Sequence, residues 1–475
     1  MIKLGASLGG VLEQITIRRD SGKPLARQIF EQISGLILDG KIRPGERLPS
    51  SRALAEELGI SRNVALEATD QLIAEGFLES RKGSGVFAAS GIGVHPKSRR
   101  ENVEFEKIGF EEIREDIVDF RSGLPDMDYF PRYIWLRITK EIYSCSKYDP
   151  LSYNQPEGSL ELRKEIAAYV CSRRGANCDA GRIVITSGTT QAVNMASKLL
   201  VTQKKHIAFL EDPITCDIQA IIKSNGATVR GVELEADGIK TPPDNPSVSF
   251  IYVTPSHQFP IGYAMSVQKR NALLDYANRN KAYIVEDDYD SEFRFDGPPV
   301  SCIQGLDPDK VIYIGTFSKT LCPAFRIAYM ILPDHLVAKG RRQKWFMDLH
   351  NPVPNQLILA EFLARGHYTR HIAKMRRLYK KRRETLEAEL YKNFGKKVEI
   401  LGSRTGIHLC ARFRGYNFDN KLLSLIEDAG CKVYPVEKHT INKGKYSDTL
   451  ILGYGRLPEE KITEGIKIFA TAIRG

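Results

Sequence analysis

The stretch YIGTFSKTLCPAFRIAYMILP, residues 313–333, decides the fold, and Lys319 stands at its centre. The run Val311, Ile312, Tyr313, Ile314 predicts a strand that delivers this lysine onto a short loop. Ser318 and Thr320 flank it, and Arg326 follows seven residues on. An amine among hydroxyls and a guanidinium suits a phosphorylated aldehyde: the amine forms a Schiff base while the other groups hold the phosphate. A lysine between strands is ordinarily a solvated charge, so the reading draws its force from two upstream segments. IVEDDYDSEFRF (284–295) carries Asp287 and Tyr289, and ITSGTTQAV (185–193) carries Gly188 and Thr189.

Together the three segments resemble the fold-type I aminotransferase site for pyridoxal 5′-phosphate (PLP), over roughly residues 119–475. The resemblance implies that Lys319 carries the cofactor as an internal aldimine. Asp287 then faces the pyridine nitrogen and keeps it protonated, which makes the ring an electron sink. Tyr289 bonds the 3′-oxygen. Gly188, Thr189 and Thr190, opening a helix, join Thr316, Ser318 and Arg326 around the phosphate. In PLSYNQPEG (150–158), Tyr153 matches a tyrosine that reaches the cofactor phosphate of the neighbouring subunit, which implies a homodimer with shared sites. Taken without the resemblance, Tyr153 is a half-buried core residue.

The segments HIAFLED, GATVRGVEL, SVSFIYVTP, KAYIVEDDY and KVIYIGTFS alternate with helical patterns. That cadence predicts an α/β fold with a mostly parallel central sheet. Ligands of such sheets lie at the carboxyl ends of the strands. The ED, TP, DDY and FSK motifs all fall at such ends. A smaller C-terminal α+β subdomain completes the expectation.

Three positions depart from the aminotransferase pattern. Phe259 stands in TPSHQFPIG where catalytic relatives carry Asn, a second ligand of the 3′-oxygen. Thr215 stands where an aromatic covers the ring, and Ile451 where an arginine holds the substrate carboxylate. A bidentate Arg–carboxylate pair is a main source of orientation for amino acids, with Arg456, Arg404 and Arg121 as substitutes to consider. At most residual transaminase activity is expected. His257 reads as part of the site wall, and His408 as a satisfied core histidine.

The N-terminal part is of another kind. LARQIFEQISGLILD (25–39) spaces Leu25, Ile29, Ile33, Leu36 and Ile37 as a helix, and Pro44-Gly45 turns the chain. Ser50 or Ser51 then caps a short helix that closes at Gly59, and Ser61 caps one that closes at Gly76. Two short helices joined by a tight turn make a helix-turn-helix. Phe77 to Ala89 reads as two strands around Lys82-Gly83-Ser84-Gly85, a wing. Ser61, Arg62 and Asn63 open the recognition helix, where Arg suits guanine and Asn adenine. Arg52, Lys82 and Gly83 are placed for the DNA backbone. The strings P-L-x-x-Q-I, P-G-x-x-L-P-S-x-R-x-L-A and A-E-G-x-x-x-x-R-x-G-x-G resemble the GntR-type winged helix. Val64 replaces the polar residue usual after S-R-N.

At 475 residues the chain suggests two or three domains. Its net charge of +11 permits a polyanionic partner, although most of the excess lies between Lys339 and Lys397, where a solvated helix face also accounts for it. Eight cysteines without a C-x-x-C pair suggest neither a disulfide frame nor a metal site. No apolar leader and no membrane span is read. Residues 1–89 read as the winged helix, 90–118 as a linker and 119–475 as the PLP-binding effector and dimerisation domain. Such a linker spans roughly 29 Å as a flexible coil, comparable with the ~34 Å between half-sites one helical turn apart.

Head and body in this order resemble the MocR/GabR family of bacterial transcriptional regulators. The resemblance implies a cytoplasmic, PLP-dependent homodimer, at the nucleoid when bound to double-stranded operator DNA. It senses a small amine, an amino acid or a B6 vitamer. The alternatives are a competent aminotransferase with an accessory DNA-binding head, a PLP-sensing regulator of vitamin B6 synthesis, and a DNA-binding protein with an inert body.

Overall fold

The computed structural model of the chain describes residues 15–91, 114, 116–144, 151–298 and 300–474. They divide between two compact units, 1–110 and 111–475. Most of the stretch read as a linker lies outside the described residues, and the second unit takes up Val118 in its first strand.

The first unit packs helix α1 (Leu25–Leu38), α2 (Ser51–Glu57) and α3 (Arg62–Ala74) around one core. Ile29, Phe30 and Ile33 meet Leu54, Ala65, Ala68 and Leu72 there. Ser50 caps α2 by accepting the Ala53 amide at 3.2 Å, and Ser61 caps α3 by accepting the Val64 amide at 3.4 Å. Gly59 and Gly76 follow the two helix ends at φ +63° and +80°, a backbone conformation glycine adopts without cost. The wing strands Leu78–Arg81 and Gly85–Ala88 pair antiparallel. A third strand, Arg47–Leu48, joins them through Arg47↔Phe87 and Leu48↔Val86. Sequence periodicity cannot show a strand of two residues.

The second unit is built on an eight-stranded sheet. In chain order its strands are Ile183–Thr186, Ile207–Asp212, Thr228–Glu235, Gly238–Ile239, Val248–Val253, Tyr283–Asp288, Val311–Thr316 and Ala328–Ile331, here β1 to β8. Across the sheet the order is β1-β8-β7-β6-β5-β2-β3-β4. β7, β6, β5, β2 and β3 run parallel. β8 is antiparallel to both neighbours, as β4 is to β3. The mostly parallel sheet expected from the sequence is therefore present, with two reversed strands.

Side chains alternate between two cores. Val184, Ile312, Ile314 and Met330 enter one, together with Ala192, Met195 and Ala196 of the helix Thr189–Leu200. Ile183, Ile185, Tyr313, Tyr329 and Ile331 enter the other, with Leu357 and Phe362. A second, antiparallel sheet of four strands (Val398–Leu401, His408–Phe413, Thr449–Gly453, Tyr434–Pro435) forms the C-terminal part. Among the described residues no helix is long and apolar enough to cross a membrane.

Burial of acidic strand ends is the price of this plan. Glu286, Asp287 and Asp288 end β6, all buried. Glu286 accepts the amides of Ile303 and Gln304, each at 3.0 Å. Asp288 pairs with Arg174 at 2.8 Å and accepts the Tyr313 hydroxyl at 2.6 Å. On β2, Glu211 accepts the Thr254 amide at 3.0 Å and its hydroxyl at 2.6 Å, both through Oε2. Burial pushes the Glu211 and Glu286 carboxyls up to about 7.

A carboxyl whose folded pKa is raised binds its proton more tightly folded than unfolded. Stability is then greatest below the unfolded value and falls as pH rises to the folded one. The cofactor-free protein is expected to unfold at lower denaturant at pH 8 than at pH 5. Glu211→Gln keeps both bonds on one oxygen and should flatten that slope by up to about 3 kcal/mol. Urea midpoints across this pH range check it.

Candidate functional site

The carboxyl ends of the parallel strands enclose one chamber. Lys319 enters it from the loop after β7, and its side chain runs alongside Gly123: a Cβ on Gly123 would lie 2.9 Å from Nζ. Gly123 holds φ +75°, a conformation that favours glycine, and any larger residue there would also push the lysine side chain aside. The amine has no hydrogen-bond or ion-pair partner among the described residues. Burial lowers its pKa below the ordinary lysine value, against the pull of Asp290 and Asp287 and with Arg326 adding to the fall. An amine that gives up its proton readily is what a carbonyl-trapping lysine needs.

Asp287 reaches the chamber from β6. The Tyr252 hydroxyl, on neighbouring β5, donates to its Oδ2, whereas Oδ1 is buried with no partner among the described residues. Burial, opposed by the Tyr252 bond, pushes this carboxyl up to about 7. A buried orphan acceptor is costly and marks a place where a proton-bearing ligand atom belongs.

On the phosphate side, Gly188 (φ +95°) precedes the helix Thr189–Leu200, whose first turn carries Thr189 and Thr190. A Cβ on Gly188 would collide with the Arg326 guanidinium. Arg326 itself adopts φ +53°, a conformation held at a cost by non-glycine residues, and donates to the Ser187 carbonyl at 2.7 Å. Asn351 holds this corner through Ser187 Oγ at 3.0 Å and the Arg326 carbonyl at 3.2 Å. Thr316 and Ser318 close it, their hydroxyls 3.1 Å apart. Gly188, Arg326, Thr316 and Ser318 thus gather at one edge, with free N–H groups at a helix N-terminus.

Other predicted residues are placed differently. The Tyr289 hydroxyl donates to the His257 carbonyl at 2.9 Å and lies 3.1 Å from His257 Nδ1. Buried Asp290 takes the Nδ1 hydrogen at 2.9 Å. Tyr289 is therefore held by a His–Asp dyad. Phe259 packs edge-on against Tyr289, His408 and His439. Ile451 is 1% exposed, in a hydrophobic cluster with Ile261, Cys410 and Val436. Of the three substitute arginines, Arg121 is committed to Asp119 (3.3 Å) and Tyr434 (3.1 Å). Arg404 and Arg456 are exposed, with no side-chain partner among the described residues. Tyr153 corrects its reading as a half-buried core residue, being 85% exposed. His408 is buried and bonds the Pro260 carbonyl at 3.0 Å through Nε2.

His257, Asp290 and His408 bring ligand-type atoms within 4.8 Å of one another. Asp290 engages His257 Nδ1 and the Pro260 carbonyl engages His408 Nε2, whereas His257 Nε2 is buried without a partner among the described residues. Tyr252, the His257–Asp290 dyad and Asn351 were not foreseen. Only Tyr252 left a trace, as a polar-tipped residue inside the run VSFIYV.

In the first unit, Arg52, Ser61, Arg62, Asn63, Lys82 and Gly83 are all exposed. Arg52, Arg62 and Lys82 make no ion pair among the described residues, which leaves their charge available to a polyanion.

The chain matches the family Aminotransferase class I and II over residues 117–463 and the family Bacterial regulatory proteins, gntR family, over 25–88. It is 35% identical to YhdI of Bacillus subtilis, an uncharacterized HTH-type transcriptional regulator, over 96% of this chain and 97% of that one. It is 32% identical to MocR of Rhizobium meliloti, a probable rhizopine catabolism regulatory protein, over 96% and 95%. Among solved structures it resembles kynurenine aminotransferase of Pyrococcus horikoshii in complex with PMP. That match has a TM-score of 0.70 and 27% identity, covering 76% of this chain and 91% of that one.

Such a body implies pyridoxal 5′-phosphate as cofactor, and the residues present fit it. Lys319 offers an unpartnered amine, Asp287 Oδ1 an orphan acceptor for a ring nitrogen, and the Gly188 turn an open cradle for a dianion. A GntR-family head joined to an aminotransferase-class body, with full-length relatives of the same build, places the chain in the MocR family of HTH-type transcriptional regulators.

Proposed function

We propose that this chain is a PLP-dependent, DNA-binding regulator that senses a small amine, an amino acid or a B6 vitamer at the Lys319 chamber. The observation that carries the proposal is the pairing, in one chamber, of an unpartnered lysine amine with the orphaned Asp287 carboxylate, on a chain that also bears a winged helix. When bound, the cofactor supplies an aldehyde for amines and an electron-withdrawing ring. Lys319 binds it covalently. Asp287 holds a proton at the ring nitrogen, with Tyr252 fixing the carboxylate plane. Thr189, Thr190, Thr316, Ser318 and Arg326 hold the phosphate. Tyr289, braced by His257 and Asp290, is the group nearest in kind to the 3′-oxygen role.

The same reading makes the working unit a homodimer. Tyr153, Leu151 and Phe346 are exposed at 85%, 80% and 74%, apolar surface that a second copy would cover. Tyr153 then completes the partner's phosphate site. The dimer works in the cytoplasm, on double-stranded operator DNA. Ser61, Arg62 and Asn63 enter the major groove, with Arg52, Lys82 and Gly83 on the backbone. Effector binding changes DNA affinity only as far as it favours one arrangement over the other.

The apolar surroundings of Ile451 favour one refinement. With no guanidinium to grip a carboxylate, the cofactor's own arrival is a better signal than a second α-amino acid, and turnover is at most residual. The first experiment follows the visible absorbance of the PLP-loaded protein, operator affinity and keto-acid release in the same samples at fixed salt. A DNA response to PLP alone supports vitamer sensing, and one that needs an added amine supports amine sensing. Sustained keto-acid release would instead identify an aminotransferase.

Lys319→Ala should abolish the visible band and leave operator affinity unresponsive to PLP, with the fold intact by circular dichroism. Arg62→Ala should weaken operator binding by about 1–3 kcal/mol, roughly ten- to hundredfold, whereas Lys82→Ala should act on all sequences alike and lower the salt slope by about one. Tyr153→Ala should weaken PLP binding while moving the stability of the subunit by less than about 0.5 kcal/mol, since its ring is exposed at home. Equilibrium dialysis and denaturant melts separate the two effects.

A further inference from the structure

Beyond Tyr289 the chain leaves the PLP chamber and lines a second cavity of about 110 Å³. Its walls come from the helix Leu160–Arg174, from residues 291–297 and from the long helix His367–Phe394. A water molecule's share of the liquid is about 30 Å³, so the space admits a ligand of a few heavy atoms.

The polar lining is unbalanced. Arg173, Arg294 and Arg376 all face the cavity, and none has an ion-pair partner among the described residues. Arg174, at its edge, is committed to Asp288. Arg294 Nε is buried without a hydrogen-bond partner, and so is the hydroxyl of Ser291, a residue only 9% exposed. Burial, then the nearby Arg404, disfavours the charged form of Arg294, as happens to a cation short of counter-charge. Asp296, which opposes this, is engaged by Arg383 at 2.9 Å. The one acid in the lining is Glu292, whose carboxyl burial pushes up to about 7, and a single carboxyl offsets at most one of these charges. Tyr169 and Ile372 supply an apolar wall.

Two buried donors without acceptors, three arginines without acids and an apolar wall describe one kind of occupant. We propose that this cavity is a second ligand site, separate from Lys319, for a small oxyanion, either a carboxylate or a phosphate, on a short apolar body. Arg294 and Ser291 bind the oxyanion inside, Arg173 and Arg376 close over it from the rim, and the body lies against Tyr169 and Ile372. The site stands whether or not Lys319 serves the sensing role proposed above.

The full-length protein is titrated with inorganic phosphate and, separately, with benzoate, against sodium chloride at equal ionic strength. Binding is read by calorimetry and by the thermal midpoint. Arg326→Gln, which removes the guanidinium of the PLP phosphate cradle, should bind at least one of the two as the parent does. Arg173→Gln with Arg376→Gln, both at exposed positions and so harmless to folding, should weaken binding at least tenfold, with Ser291→Ala as an independent buried variant that also weakens it. A response to phosphate alone or to benzoate alone assigns the oxyanion. Absence of saturable binding for both overturns the proposal, as does binding that ignores the arginine changes. Binding lost in Arg326→Gln overturns it as well, because the anion would then occupy the PLP phosphate cradle.

Discussion

The buried ion pair between Arg174 and Asp288 is the constraint on which the body depends. One guanidinium reaches from the end of a helix to the end of the central strand β6, and it also binds Ser256 and the Val300 carbonyl. It thereby ties together the segment before His257, the segment after Asp296 and the strand that presents Asp287. An ion pair this deep adds little net stability, but losing one partner leaves an uncompensated charge, at about 3–5 kcal/mol. The same geometry lets three consecutive acids end a strand in a low-dielectric interior. That environment is what raises the proton affinity of Asp287 and gives the chamber its chemistry.

Much of this was legible in the chain itself. Strand cadence put the ED, TP, DDY and FSK motifs at strand ends because parallel strands joined by crossovers must all end on one side of the sheet. Caps at Ser50 and Ser61 and glycines at 59 and 76 marked the head's helices, since each answers a local backbone need. Contacts between distant segments were not legible. Nothing near Tyr252 announces Asp287, and nothing near Asn351 announces Ser187 and Arg326. Lys344 is the extreme case: it is 0% exposed within a helix that reads as basic and solvated, held by Asp348 one turn on and by Gln191. The charge pattern around it predicts the opposite.

The site separates holding a cofactor from using it. Groups of the kind that would grip PLP, from the Lys319 amine to the Gly188 turn, lie at the carboxyl ends of the strands. Two of the positions at which the sequence departs from the aminotransferase pattern hold apolar groups: Phe259 packs edge-on among histidines, and Ile451 belongs to the hydrophobic core of the C-terminal sheet. A pocket altered in this way retains recognition and gives up orientation, and orientation accounts for much of a rate enhancement. A regulator gains from that division, because a signal consumed by its receptor is a poor signal.

The exposed ring of Tyr153 has a consequence for dosage. In the homodimer proposed above, a cofactor site completed by a second copy exists only at chain concentrations where copies meet. Its apparent affinity therefore carries the dimer's own association constant by mass action. A cell with few copies would register a given vitamer level as lower than a cell with many. The abundance of the protein would then set the threshold at which it responds.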